Sequence, residues 1–245
     1  MKKGNIYIGT SNIVIPGNKQ SFPEAFKNKS RLNYYASIFN TVEINSSFYK
    51  VPLPSTFEKW SNEVSPGFKF STKLWKNITH IKELNYEAKD IDRFLSAAEK
   101  AGNTRGPLLL QFPGKIGIDY YHKVENILEQ INAFDQKWPM AVEFRNTDWY
   151  VNETMELLDE YHASLVLHDI PKSRNIQLNK KASMVYMRFH GIAGDYRGSY
   201  DATELKKYAA LIKQWADKGK DVYAYFNNTI GAAYENARLL QELVK

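Results

Sequence analysis

Ala141-Val142-Glu143-Phe144-Arg145, followed by Asn146-Thr147-Asp148-Trp149-Tyr150, sets a short apolar strand directly against charge and a turn. Working outward, the same form occurs eight times: Ile6–Ser11, Thr41–Asn45, Lys69–Lys73, Leu108–Gln111, Ala141–Arg145, Leu165–Asp169, Val185–His190 and Val222–Asn228. From Ser11 to Asn228 the run ends repeat about every 31 residues, the length of one strand–helix unit. Eight such units predict an α/β protein built as a single (β/α)8 TIM-type barrel spanning residues 1–245. In that barrel the polar run ends converge on the face where barrel enzymes hold their sites.

The gaps between runs carry helical stripes. Leu32, Tyr35, Ala36 and Phe39 share a face in Ser30–Phe39, as do Ile91, Phe94, Leu95 and Ala98 in Asp90–Ala101. Similar stripes mark Tyr120–Phe134, Asn152–Tyr161, Thr203–Ala216 and Ala232–Leu243. Ser55-Thr56-Phe57-Glu58 reads as a capping box. Between Asp169 and Met184 there is no stripe, and Pro171 opens the segment. The sixth crossover is therefore expected to be irregular or to lack a full helix.

No Pro-, Gly- and Ser-rich linker divides the 245 residues, and a hydrophobic content of 43% is enough for a large core. There is no apolar stretch of membrane-spanning length, and the first residues lack an apolar signal region. The absence of cysteine excludes disulfides and thiolate chemistry and suits a reducing compartment, so a cytoplasmic location is expected. The net charge of +6 is spread over scattered lysines, with no arginine-rich tail.

Strand parity divides the run residues. Ile6, Ile8, Val42, Ile44, Phe70, Leu108, Leu110, Val142, Phe144, Leu165, Leu167, Met187, Phe189, Val222, Ala224 and Phe226 should face the helices. Tyr7, Gly9, Ser11, Thr41, Glu43, Asn45, Ser71, Lys73, Leu109, Gln111, Ala141, Glu143, Arg145, Val166, His168, Tyr186, Arg188, His190, Tyr223, Tyr225 and Asn227 should face the axis. Glu43 and Glu143 then meet Lys73, Arg145 and Arg188, with His168 and His190 between them. A self-satisfied ionic network is one reading, because buried charge is costly unless paired. A ligand site is the other, and one positive charge in excess points to an anionic ligand.

Arg188-Phe189-His190-Gly191 and the glycine-bearing loop after it, with Asn227-Asn228-Thr229-Ile230-Gly231 opening a helix, suit an anion held at a helix start. The alternative is a glycine turn and an ordinary N-cap. Trp149 and Tyr150, with Trp75 after Lys73, could stack on a sugar or a base, or cap the core. Paired carboxylates suit acid–base chemistry, and a lysine among apolar neighbours has a lowered pKa or simply pairs with Glu43. No cofactor is predicted. His80, His168, Asp169, His190, Glu43 and Glu143 leave a divalent metal as a weaker alternative, for none has a signature metal spacing.

Several motifs fall in order along the chain: Ile8-Gly9-Thr10-Ser11, Phe39 through Tyr49, Gln111-Phe112-Pro113, Val142-Glu143-Phe144-Arg145, Arg188-Phe189-His190-Gly191 and Tyr225-Phe226-Asn227-Asn228-Thr229. Together they resemble the YecE-like family, known as domain of unknown function 72. The resemblance implies a TIM-type barrel and a shared pocket at the C-terminal strand ends, but it supplies no reaction. Where such proteins continue the first motif with Gly and Trp, this chain has Asn12-Ile13.

The expected function is an enzyme acting on a phosphorylated or sugar-containing substrate. Glu43, Glu143, Lys73 and His190 are its candidate catalytic residues. Arg145, Arg188, Asn45, Gln111, Asn227, Asn228, Thr229, Trp149 and Tyr225 are its candidate substrate- or anion-binding residues. A small anionic or sugar-phosphate ligand is the expected partner, with no membrane. The alternatives are a nucleic-acid-binding or processing protein, and a non-catalytic small-ligand binder.

Overall fold

The computed structural model describes residues 2–245. The eight apolar runs form nine strands: β1 (Ile6–Thr10), β2 (Thr41–Ile44), β3 (Lys69–Lys73), β4 (Arg105–Phe112), β5 (Met140–Phe144), β6 (Ser164–Leu165), β7 (Leu167–His168), β8 (Met184–Phe189) and β9 (Asp221–Phe226). The helices are α1 (Arg31–Ala36), α2 (Ser46–Tyr49), α3 (Pro54–Asn62), α4 (Lys76–Thr79), α5 (Ala88–Ala98), α6 (Tyr121–Phe134), α7 (Asn152–Glu160), α8 (Ala202–Asp217) and α9 (Ala233–Val244). All strand pairings are parallel. The strands lie in a four-stranded sheet, β1-β9-β8-β7, and a five-stranded sheet, β2-β3-β4-β5-β6.

The ladders do not run as one closed ring. β1 meets β2 through a single parallel bridge, Ser11 with Glu43. The sixth run is divided between the two sheets, with Val166 alone separating β6 from β7. The irregular sixth crossover explains this break. It holds only a 3₁₀ turn, Pro171–Ser173, and folds back on the strand. Asn179 Oδ1 accepts from the Leu165 amide at 2.9 Å, and Asn175 exchanges backbone hydrogen bonds with His168 at 3.0 and 3.1 Å. Backbone groups that a neighbouring strand would satisfy are thus satisfied by two asparagines, as buried amides require.

Strand parity sorts the interior as expected. Leu108, Leu110, Val142, Phe144 and Leu165 pack with helices α5, α6 and α7. Ile8, Val42, Ile44, Phe70, Leu167, Met187, Phe189, Val222, Ala224 and Phe226 pack with α1, α8 and α9. Tyr7, Leu109, Ala141, Val166, Met184, Tyr186, Tyr223 and Tyr225 form a third cluster, drawn from strands of both sheets. This floor is aromatic: Tyr7 stacks on Tyr223 at 4.6 Å, and Tyr186 lies 5.1 Å from Tyr225.

Two local expectations fail. The capping box at Ser55–Glu58 does not form, because Pro54 opens α3 and moves the N-cap from Ser55 to Leu53, two residues earlier. The helix after β9 begins at Ala233, not at Asn228 or Thr229, and has no side-chain cap.

Candidate functional site

Glu43 is fully buried at the end of β2 and receives four hydrogen bonds. Oε1 accepts from Ser11 Oγ at 2.6 Å and Arg188 Nη2 at 2.8 Å; Oε2 accepts from Tyr186 at 2.8 Å and Arg188 Nε at 2.9 Å. Arg188 Nη1 donates to Glu143 at 2.8 Å, and Arg145 Nε donates to the other Glu143 oxygen. Burial alone would raise both carboxyls. The guanidiniums outweigh it, Arg188 on Glu43 and Arg145 with Arg188 on Glu143, and hold both below the usual range. These glutamates are ionised, enclosed and each held by arginine donors, so the expected role of Glu43 or Glu143 in moving a proton does not fit this geometry. Arg188, 2% exposed and held by two carboxylates, is equally unsuited to being an open anion receptor.

His190 is locked as well. Its backbone amide donates to Asp169 Oδ1 at 2.8 Å, its Nδ1 lies 3.2 Å from the same oxygen, and Arg145 Nη2 lies 3.1 Å from Nε2. Burial pushes the imidazole down to about 4, against the pull of Asp169 and with the help of Arg188. Asp169 also accepts from the Tyr200 hydroxyl. His168 packs edge-on to His190 at 5.9 Å, with its Nδ1 buried and unpartnered among the described residues.

Lys73, at the end of β3, differs from these groups. Its Nζ donates to Gln111 Oε1 at 2.8 Å and stands 4.0 Å from the centre of the Phe48 ring. Among the described residues no carboxylate lies within ion-pair distance of it, so the expected pairing with Glu43 is not made. Local sequence builds this setting. Ser47 Oγ lies 2.7 Å from the Lys73 carbonyl and 2.8 Å from that of Ile44, where it pins α2 beside β3 and lays Phe48 over the amine. His80, just past α4, packs at a steep angle against Phe48, ring centres 4.7 Å apart. Burial, and then the Arg188 charge, push Lys73 down to about 7. Burial, and then the Lys73 charge, push His80 down to about 4.

The remaining expected residues divide between site and scaffold. Gln111 and Asn45 stand at strand ends, and Asn45 Oδ1 is buried without a partner among the described residues. Trp149 is not a stacking platform: it is fully buried, 4.2 Å from Phe144 and parallel to it, and donates to the Ile116 carbonyl at 2.9 Å. Tyr225 is floor, its hydroxyl 2.7 Å from Thr41 Oγ1. Asn228 donates to the Gly198 carbonyl and to Asn236, while Asn227 is half-buried and Thr229 exposed. The amides expected to cradle an anion instead tie two loops together: Ile230 donates to Tyr196 and Ala232 to Gly198, both at 3.0 Å. Gly231 is needed for this approach, since a Cβ there would run into the Gly198 carbonyl oxygen.

A family model described as "Protein of unknown function DUF72" matches residues 7–245. The chain belongs to the DUF72 family. It is 25% identical to the UPF0759 protein YunF of Bacillus subtilis over 259 residues, covering 91% of this chain and 89% of that protein. It is 29% identical to the UPF0759 protein YecE of Escherichia coli K12 over 86 residues, covering 35% of this chain and 32% of that one. A DUF72 protein from Enterococcus faecalis superposes with a TM-score of 0.80 at 22% identity, covering 100% of this chain and 99% of the other. One from Thermotoga maritima superposes with a TM-score of 0.76 at 24% identity, covering 98% and 99%. At these identities the likeness to the solved structures shows the fold.

In this DUF72 chain, sequence reasoning passed over three members of the cluster. Phe48 stood only inside the stretch Phe39 through Tyr49 with no role given to it, and His80 and Asp169 entered only as metal candidates. Adding Asp169 removes the expected positive excess, since Glu43, Glu143 and Asp169 balance Arg145, Arg188 and Lys73. Among the described residues no three His, Cys, Asp or Glu side chains group to hold a metal. A mostly apolar cavity of about 340 Å³ beside the helix-free crossover is lined by Leu167, Met187, Phe189, Tyr208, Leu211 and Trp215 together with His168, Asp169 and Arg188 of the cluster, but not by Lys73. Among the described residues no helix is long and apolar enough to cross a membrane.

Proposed function

We propose that this DUF72 protein is an enzyme acting on small sugar-type substrates at the strand ends of a closed (β/α)8 barrel. Three features support closure: the Ser11–Glu43 bridge, the single residue between β6 and β7, and the interior cluster drawn from both sheets. One observation carries the activity. Among the described residues Lys73 is the strand-end amine that hydrogen-bonds to the neutral Gln111 amide and to no carboxylate, so it exchanges a proton near neutrality while the carboxylates around it stay ionised.

Lys73 takes a proton from the carbon next to a substrate carbonyl and returns it. Arg145 commits Nε to Glu143 and Nη2 to His190, so Nη1 is the end it offers to negative charge forming on the carbonyl oxygen. The Asn45 Oδ1 acceptor suits a ligand hydroxyl. Phosphorylated sugars remain within this class. The Glu43–Arg188–Glu143–Arg145–His190 chain holds Arg145 in place.

The test is hydrogen exchange in D₂O. Wild-type protein should exchange the carbon-bound hydrogen next to the carbonyl of D-glyceraldehyde, dihydroxyacetone or their phosphates, and Lys73→Met should not. No exchange above the buffer rate for any of the four, or equal exchange by Lys73→Met, overturns the reading.

A further inference from the structure

We propose that Lys73 acts as a nucleophile through Nζ, forming an imine with a hydroxylated aldehyde or ketone beside the Phe48 ring. This rests on the strand-end reading above and deepens it, naming a carbonyl compound as the substrate and a covalent bond as its anchor.

The argument is geometric. An ammonium tied to a carboxylate keeps its proton and lends no lone pair. Lys73 is tied to an amide oxygen, which gives up the amine when a carbonyl arrives. Phe48 lies 4.0 Å from Nζ, leaving attack to come from the side away from the ring. His80 packs against the same ring and its pKa is lowered to about 4 by burial and then by the Lys73 charge, so a neutral imidazole stands near the amine. The lowered proton affinity of Lys73 leaves a large fraction unprotonated at neutral pH.

The step balances without an oxidant or reductant. The Nζ lone pair forms a bond to the carbonyl carbon, and the π pair moves to oxygen, which takes up a proton. The nitrogen gives up both of its protons, the hydroxyl takes up a second proton and leaves as water, and C=N remains. Once protonated, the imine draws electrons from the adjacent carbon more strongly than the parent carbonyl does, and that carbon's proton then passes to water, because the Lys73 nitrogen is held in the C=N bond and no longer takes it directly.

The experiment is reductive trapping on the full chain at pH 7 with D-glyceraldehyde and sodium cyanoborohydride, which delivers hydride to the imine carbon. Peptide mass mapping should place the adduct on Lys73 at least tenfold faster than on any other lysine, and Lys73→Arg should abolish that site. Propanal should label Lys73 at least fivefold more slowly. Label spread evenly over surface lysines overturns the proposal, as does equal labelling by propanal, since the amine is then reactive without recognising a hydroxylated carbonyl. Hydrogen exchange without a Lys73 adduct overturns the imine and leaves proton transfer standing. Neither exchange nor adduct overturns both.

Discussion

Lys73 and Arg188 both point to the axis from strand ends, and their partners give them opposite fates. Arg188 bridges two buried carboxylates, and removing one member of such a set strands the others. Arg188→Met should lower the unfolding free energy by about 3–5 kcal/mol in urea titrations; a loss of anion binding with unchanged stability would contradict this. Lys73 has the reverse balance. Its folded pKa, about 7, lies below the ordinary 10.5. Between these values the unfolded chain carries a proton that the folded chain lacks, so stability rises with pH, and below them the cost of the buried ammonium is fully present. Lys73→Met should therefore gain stability over wild type below pH 7, and the gap should close toward pH 10.5. Parity alone told which residues face the axis. It could not tell which would be neutralised, because that depends on contacts such as Asp169 with His190, made between side chains from different strands.

At the scale of elements, the long stripes were legible because a buried helical face repeats. Expected Tyr120–Phe134 became α6, and expected Thr203–Ala216 became α8, capped by Asp201. Local start signals were less reliable where a proline or a loop contact prevailed, as at Pro54 and at Ala232. The helix-free crossover was legible as a missing stripe, but its replacement of sheet bonds by Asn175 and Asn179 was not. Asn179 also donates to Asp159 at 2.7 Å and to the Ala163 carbonyl at 2.9 Å. Asn179→Ala leaves buried backbone groups unpaired and should cost about 1–3 kcal/mol. Faster amide exchange at Leu165 than in wild type is the direct readout, and unchanged protection would refute it. Gly231→Ala should likewise loosen the contact between the loops after β8 and β9, seen as faster exchange at Ile230 and Ala232.

For the whole molecule, the periodic runs announced parallel strands alternating with helices, and the two sheets with their outer helices match that rhythm. The split of the ladder had no sequence signal beyond the irregular crossover. The buried titratable groups together set a global pH response. Carboxylates held low lose their contribution as pH falls below about 4.5, and His80 and His190, at about 4 in place of 6.5, favour folding as pH rises through that window. Buried tyrosines with raised pKa oppose folding above pH 10.0, where the unfolded chain gives up protons that the folded chain keeps. The urea midpoint should climb from pH 4 through neutrality and turn over near pH 10; a maximum in the acid range would contradict this assignment.

The central claim is that one amine at the strand ends is free and near neutral. Carbon-13 NMR titration of lysine side chains, with Lys73 assigned by its absence in Lys73→Arg, tests it directly. A Lys73 midpoint of about 7 is expected, and a midpoint near 10.5 would contradict it.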